Sequence, residues 1–210
     1  MIERELPLVT WHGGKVSHTE RQTLLRQSPM TIWLTGLSAS GKSTLAFALE
    51  RELMNRARAC YVLDGDNVRH GLNRDLGFLA ADRAENIRRI AEVARLMNDA
   101  GLIVIAAFIS PYRSDRAVAR NIIGAEYVRE VYVNTPLAVC EARDPKGLYR
   151  KARASKIADF TGVSSPYEPP EQPDLTIDTA QYSVEDTVAR LLAVMHMERN
   201  LMCREPMPLN

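Results

Sequence analysis

Aromatic side chains supply only 6% of this 210-residue chain, and cysteine occurs three times, as Cys60, Cys140 and Cys203. Three scattered thiols are too few for a disulfide framework or a zinc cluster, so a reducing, cytoplasmic setting is expected. Long hydrophobic runs are missing too. The longest unbroken apolar stretch, Leu102–Ile109, has eight residues, against the ~18 that a membrane-spanning helix needs. No membrane association is expected. The opening residues Met1-Ile2-Glu3-Arg4-Glu5-Leu6 mix charge signs and lack an apolar core, so no secretory leader is expected. Neither sign of charge dominates: 27 Lys and Arg against 26 Asp and Glu leave a formal net charge of +1. That balance argues against a nucleic-acid coat.

What is present is ordinary for a globular protein, with 46% hydrophobic and 25% charged residues, enough for a core within a single α/β domain. Residues 1–29 read as an N-terminal extension, with a short helix over Thr19–Gln27 closed by Ser28-Pro29. From residue 30 strands alternate with helices. Thr31–Thr35, Cys60–Leu63, Leu102–Ile109, Val128–Val133 and Leu175–Ile177 are strand-like. Helical spacing marks Ser43–Arg56, through Leu45, Leu49 and Leu53, and Asp82–Asp99, through Ile87, Ile90, Ala91, Ala94 and Met97. Thr135-Pro136 predicts a further helix start, with the threonine as cap. Ser183-x-x-Asp186 predicts another, with the Met195, Met197 and Met202 cluster packing that terminal helix. Residues 144–170, rich in Lys, Arg, Gly, Ser and Pro, have weak periodicity, and residues 201–210 read as a tail. This order predicts a mostly parallel sheet covered on both faces by helices.

One motif sits between the first strand and its helix. Gly36-Leu37-Ser38-Ala39-Ser40-Gly41-Lys42-Ser43 fits G-x-x-x-x-G-K-[ST] at every fixed position. Its glycines let backbone N–H groups converge on a polyanion, and the following helix adds the positive end of its dipole. Lys42 is expected to neutralise the β and γ phosphates and Ser43 to ligate Mg²⁺. This is a site for ATP or GTP. The cradle alone leaves GTPase switches, transport ATPases and small-molecule kinases open.

Asp64-Gly65-Asp66-Asn67 ends the second strand, on the sheet edge where such folds bind ligands. One aspartate suits Mg²⁺ or the proton of an attacking hydroxyl, the other a substrate contact. Arg69, Arg83 and Arg88, with Asn86, follow as fork-like donors for phosphate or sulfate oxygens, and Phe78 could stack on a base or simply join the core.

These segments, DGDNVRHGLN from Asp64 to Asn73, then DLGF, DRAENIRRIAEVA, FISPYR, CEARDPKGLYRKAR, FTG and SPYEPP, resemble in order the adenylylsulfate kinase family of sulfate assimilation. The likeness runs from about Trp33 to Thr179, with an echo in Val9-Thr10-Trp11-His12. It implies a three-layer P-loop kinase fold with a lid over residues 144–170 within a domain spanning 30–200. It implies transfer of the ATP γ-phosphoryl group to the 3′-hydroxyl of adenylylsulfate. By that resemblance Gly36 to Thr44 would bind ATP, and Asp64 would sit beside Mg²⁺ and the reacting hydroxyl as catalytic carboxylate. Asp66, Arg69, Phe78, Arg83 and Asn86 would hold adenylylsulfate, with Ile109 and Ser110 lining the pocket. Lys146 and Phe160 would come from the lid. The family is commonly dimeric, and coupling to an ATP sulfurylase is a further implication.

Ser110 carries two implications. Bacterial relatives assign a phosphoserine intermediate to the serine of FISP. Direct transfer is favoured here because no histidine is obviously placed as its base, the direction of His70 being open. Three departures from the family pattern stand out: Leu79 for serine, Ser155-Lys156 for Gly-Glu in the lid, and Ser38-Ala39-Ser40 where Ser-Gly-Ala or Ser-Gly-Ser is commoner.

Overall fold

The computed structural model describes residues 9, 10 and 12–195. The expectations for Trp11, His196, Met197, Met202, Cys203 and the 201–210 tail lie outside them. The first element, α1 (His18–Leu25), is opened by a complete capping box in which Ser17 and Glu20 exchange hydrogen bonds. It starts one residue earlier than the apolar spacing implies, because that reciprocal cap fixes the boundary. The extension's helix and the turn after it are docked on the domain. Arg21 pairs with Asp99 at 2.9 Å, and the Gln27 amide bonds to the Ala59 and Gly101 carbonyls at 2.9 and 2.7 Å.

Five parallel strands follow: β1 (Met30–Thr35), β2 (Cys60–Asp64), β3 (Ile103–Ala107), β4 (Val128–Val133) and β5 (Leu175–Ile177), in the order β2-β3-β1-β4-β5. Parallel neighbours need helical crossovers, which cover both faces. Alternation along the strands divides the core accordingly. Ile32, Leu34, Ile103 and Ile105 face α2 (Lys42–Asn55) and α7 (Val184–Val194), meeting Leu45, Leu49, Leu53, Val188 and Leu191. Trp33, Val104 and Ala106 face α3 (Ala80–Asp99) and α4 (Arg113–Ile123), meeting Ile87, Ile90, Ala94, Ala119 and Ile123. Met195 is buried against the first of these clusters.

Three expectations change. The third strand stops at Ala107, and the chain turns across the top of the sheet through Phe108–Ser110, with Ser110 at φ +38°. Helix α4 has no counterpart in the apolar reading, because its inward face is partly arginine. Arg116 is 6% exposed and bonds to Glu130 and to the carbonyls of Ser110 and Glu168. Thr135 is not a helix cap. Pro136 takes that position before α5 (Leu137–Arg143), while the Thr135 hydroxyl turns to the Ser40 carbonyl. Between β4 and β5, α5 and α6 (Leu148–Arg153) build a separate cluster of Cys140, Tyr149, Ala152 and Phe160 against Leu37 and Ala39. Tyr149, Ala152 and Phe160 of this cluster belong to the segment 144–170 expected as a lid, and the cluster is seated on the glycine-rich loop.

Candidate active site

The carboxyl ends of β1, β2 and β3 carry the site, as open α/β sheets favour. Gly36 leaves β1 at φ +152°, where a Cβ would come within 2.5 Å of the Val133 carbonyl of β4. Only glycine fits there. Gly41, at φ +101°, is the N-cap of α2, so the loop closes directly on the positive end of a 14-residue helix. Lys42 is 8% exposed, and its ammonium donates to the Gly36 and Leu37 carbonyls at 2.9 and 2.6 Å. Burial pulls it down to about 8, while the charges of Cys140, Asp64 and Asp66 oppose that fall. Ser38 is held by its carbonyl, which accepts from the Tyr149 hydroxyl at 3.0 Å. Thr44 is exposed on the first turn of α2. Ala39 sits at φ +58°, a left-handed conformation that explains why glycine is commoner at that position.

Asp64, at the end of β2, is 6% exposed. Its Oδ1 accepts from the backbone N–H groups of Asp66 and Asn67 at 3.0 and 3.4 Å, and its Oδ2 from the Ser43 hydroxyl at 2.7 Å. The loop serine and the strand-end carboxylate therefore form one unit. Gly65 makes its close approach to β3, where a Cβ would lie 3.3 Å from the Ala107 carbonyl.

Across the mouth, Phe78 is 66% exposed, which settles its two sequence readings against the core. The Arg69 guanidinium lies 4.4 Å from the centre of its ring and donates to the Leu76 and Gly77 carbonyls at 2.9 and 3.0 Å. Burial, and the like charge of Arg83, press Arg69 below its ordinary value. Arg83 joins this loop to the lid, donating to the Phe78 carbonyl at 2.7 Å, to the Thr161 hydroxyl at 2.6 Å and to the Asp159 carbonyl. Lys146 of the lid pairs with Asp66 on the other side. Asn86 is buried one turn after Arg83, and its Oδ1 accepts from Asn73 at 2.9 Å. Arg88 does not belong to the group: it pairs with Glu85 and Glu92 on the outer face of α3.

Two expected ligand residues are enclosed by protein groups. Phe160 is 9% exposed and packs edge-on against Tyr149 at 5.0 Å, so it holds the lid together. Ser110 is 3% exposed, and its hydroxyl accepts from the Trp33 indole at 3.1 Å. Its other neighbour is the Phe108 carbonyl at 3.5 Å, and His70 is exposed in the turn after β2. Among the described residues no basic side chain is hydrogen-bonded to the Ser110 hydroxyl. Ile109 contributes its carbonyl, bonded to the Thr35 hydroxyl at 2.8 Å. Thr35 itself, in contact with the Tyr167 hydroxyl at 3.0 Å, is a site-shaping residue that sequence reading missed. As the last residue of a buried strand it gives no periodic signal.

A phosphate loop on a parallel sheet, a buried carboxylate bonded to its serine, and a cationic lid-covered mouth define a P-loop kinase. The sequence profile described as Adenylylsulphate kinase matches residues 28–178. The "Probable adenylyl-sulfate kinase" of Halalkalibacterium halodurans is 54% identical over 194 residues, covering 92% of this chain and 96% of that protein. The solved Mycobacterium tuberculosis APS kinase CysC, in complex with AMPPNP and APS, is 48% identical with a TM-score of 0.77, over 80% of this chain and 98% of that one. The "Bifunctional enzyme NodQ" of Rhizobium tropici is 60% identical over 171 residues, 81% of this chain but 27% of that protein. The chain belongs to the adenylylsulphate kinase family.

Proposed function

We propose that the site moves the γ-phosphoryl group of ATP to the ribose 3′-hydroxyl of adenosine 5′-phosphosulfate, releasing ADP and 3′-phosphoadenylylsulfate. The observation that carries this reading is the placement of Asp64, buried, fixed by two backbone N–H groups and bonded to Ser43. It stands between the phosphate loop and the cationic mouth. A loose, in-line transfer asks for positioning and charge neutralisation more than covalent chemistry.

In this scheme the loop N–H groups and Lys42 hold the ATP phosphates, and Asp64 orients the acceptor hydroxyl and takes its proton. Phe78 stacks on the acceptor adenine, with Arg69, Arg83, Asp66, Asn86 and Lys146 around its sulfate-bearing and ribose ends. The Ser43 hydroxyl and the Asp64 carboxylate are hard oxygen donors that suit Mg²⁺ and would hold it. When bound, that ion supplies further neutralisation of the phosphate charge. Ser110 shapes the pocket without a covalent role.

The chain is inferred to act in the cytoplasm as a homodimer. The match to 27% of a protein named as bifunctional supports coupling to a second activity, which the family resemblance makes an ATP sulfurylase. Among the described residues, no helix is long and apolar enough to cross a membrane. ADP release measured in parallel with adenylylsulfate, AMP and gluconate tests the reaction. Turnover confined to adenylylsulfate is expected. Turnover with another acceptor, or nucleotide binding without turnover, would refute it.

A further inference from the structure

We infer that Thr135 and Thr179 are positioning residues of the phosphate cradle, acting through the Ser40–Gly41 peptide; the inference rests on the reading of Gly36 to Thr44 as the ATP site. Ser40 is fully buried, and its carbonyl accepts from Thr179 Oγ1 at 2.8 Å and Thr135 Oγ1 at 3.0 Å. The two hydroxyl oxygens lie 2.8 Å apart. Two hydroxyl protons therefore serve three close oxygen contacts. Arg143 adds an outside donor to the pair. Its Nη1 donates to Thr179 Oγ1 at 2.8 Å and its Nη2 to the Thr179 carbonyl at 3.0 Å. Thr179 keeps its own proton and a second lone pair beside that bond, so the Ser40 carbonyl accepts from at least one of the two hydroxyls while the other proton goes to the same carbonyl or bridges the pair.

A carbonyl held in this way decides where the next N–H points. In a planar trans peptide the C=O of Ser40 and the N–H of Gly41 point in opposite directions, and no described peptide bond is cis. Fixing the oxygen on this hydroxyl pair behind the loop turns the Gly41 N–H away from it, toward the loop mouth. Among the described residues no backbone carbonyl outside the regular elements takes that N–H. It lies at the N-cap of α2, where backbone donors and helix dipole combine to meet a phosphate. The glycine is confined as well, since a Cβ at Gly41 would stand 3.3 Å from Thr179 Cγ2. Thr135 follows β4 and Thr179 follows β5, so the far side of the sheet aims a donor of the cradle.

Valine at either position removes the hydroxyl and keeps the shape; serine keeps the hydroxyl. Nucleotide titration and steady-state kinetics on the full chain separate the two effects. Thr179→Val and Thr135→Val are each expected to weaken ATP binding about five- to tenfold, the worth of one hydrogen bond. The KM for adenylylsulfate stays unchanged, and Thr179→Ser and Thr135→Ser bind ATP like the parent. Unaltered ATP affinity in the valine variants, an equal rise in both KM values, or failure of serine to rescue would each overturn the inference. Should Thr135→Val not fold, the half-buried Thr179 and the exposed Arg143→Met carry the same comparison. A parent protein that binds no ATP would overturn the nucleotide-site reading itself. Parent binding with unaffected variants would sink only this inference.

Discussion

Ser43 Oγ donates a 2.7 Å hydrogen bond to Asp64 Oδ2, so the first turn of α2 and the end of β2 meet at one oxygen. The phosphate loop and the acceptor side of the site are thereby held in register through a side-chain pair. The other Asp64 oxygen is pinned by two backbone N–H groups, which leaves the carboxylate one orientation.

Asp64→Asn keeps this shape and removes the charge and the basicity. Turnover is expected to fall by roughly 10²–10⁴, the usual worth of a positioned acid–base group, with ATP binding largely intact. Coupled ADP release and nucleotide titration check both halves; near-parental turnover would remove Asp64 from the chemistry.

Lys42 must be an ammonium to meet phosphate, and burial has brought it down to about 8. It is protonated below that pH and loses its charge above it. The kcat/KM for ATP, which reports the free enzyme, should therefore be level near neutrality and fall about tenfold per pH unit above about 8. In Lys42→Arg the guanidinium stays charged, so the alkaline limb should vanish whatever turnover remains. A pH–rate profile in which both proteins keep the same limb would assign it elsewhere.

Phe78→Ala removes an exposed ring that the protein interior does not use. Stacking of a base on an aromatic is worth about 1–3 kcal/mol, so the KM for adenylylsulfate should rise about fivefold or more. The KM for ATP should not move, and the melting temperature should fall only by the small worth of the Arg69 contact with the exposed ring. Equal effects on both substrates would argue against a stacking role.

Ser110→Ala loses the bond from the Trp33 indole. A stability loss of about 1 kcal/mol is expected, with turnover retained and no acid-stable phosphoenzyme after a single turnover with labelled ATP. A phosphoserine that forms and decays at competent rates would reverse this assignment.

Two departures from the family pattern have local structural costs. Leu79 is the N-cap of α3, 66% exposed and without a side-chain cap bond, so Leu79→Ser should stabilise by about 1 kcal/mol. Ala39→Gly should relieve about 1 kcal/mol of left-handed strain at φ +58°. Denaturant titration checks both. Ser155 in the lid repeats the pattern, holding φ +56° where the family more often places glycine.

Much of this was legible in the chain because single physical causes dominate it. The buried parallel strands read as apolar runs, α2 and α3 kept strict helical spacing, and the glycine-rich loop needs its residues at fixed offsets. Legibility failed where two forces competed. Helix α4 turns Arg116 inward to satisfy Glu130 and two carbonyls, so a charged side chain shares its buried face with Ala119 and Ile123. Thr135 looked like a cap because of the proline after it, yet the Ser40 carbonyl claimed its hydroxyl across the fold. Cys60 shows the same limit in milder form. It lies in an apolar stretch but is only half-buried, and that burial pushes its thiol up to about 11.

The contacts of Arg83 with Thr161 and Asp159, and of Lys146 with Asp66, give the mouth an economy of exchange. Its cations already hold oxygen partners supplied by the protein, so on the proposed function an arriving sulfonucleotide would displace one set of anionic or carbonyl neighbours by another. Affinity then measures the margin between rival partners and not the full strength of either. On the same reading a departing product would be helped out by the return of those partners.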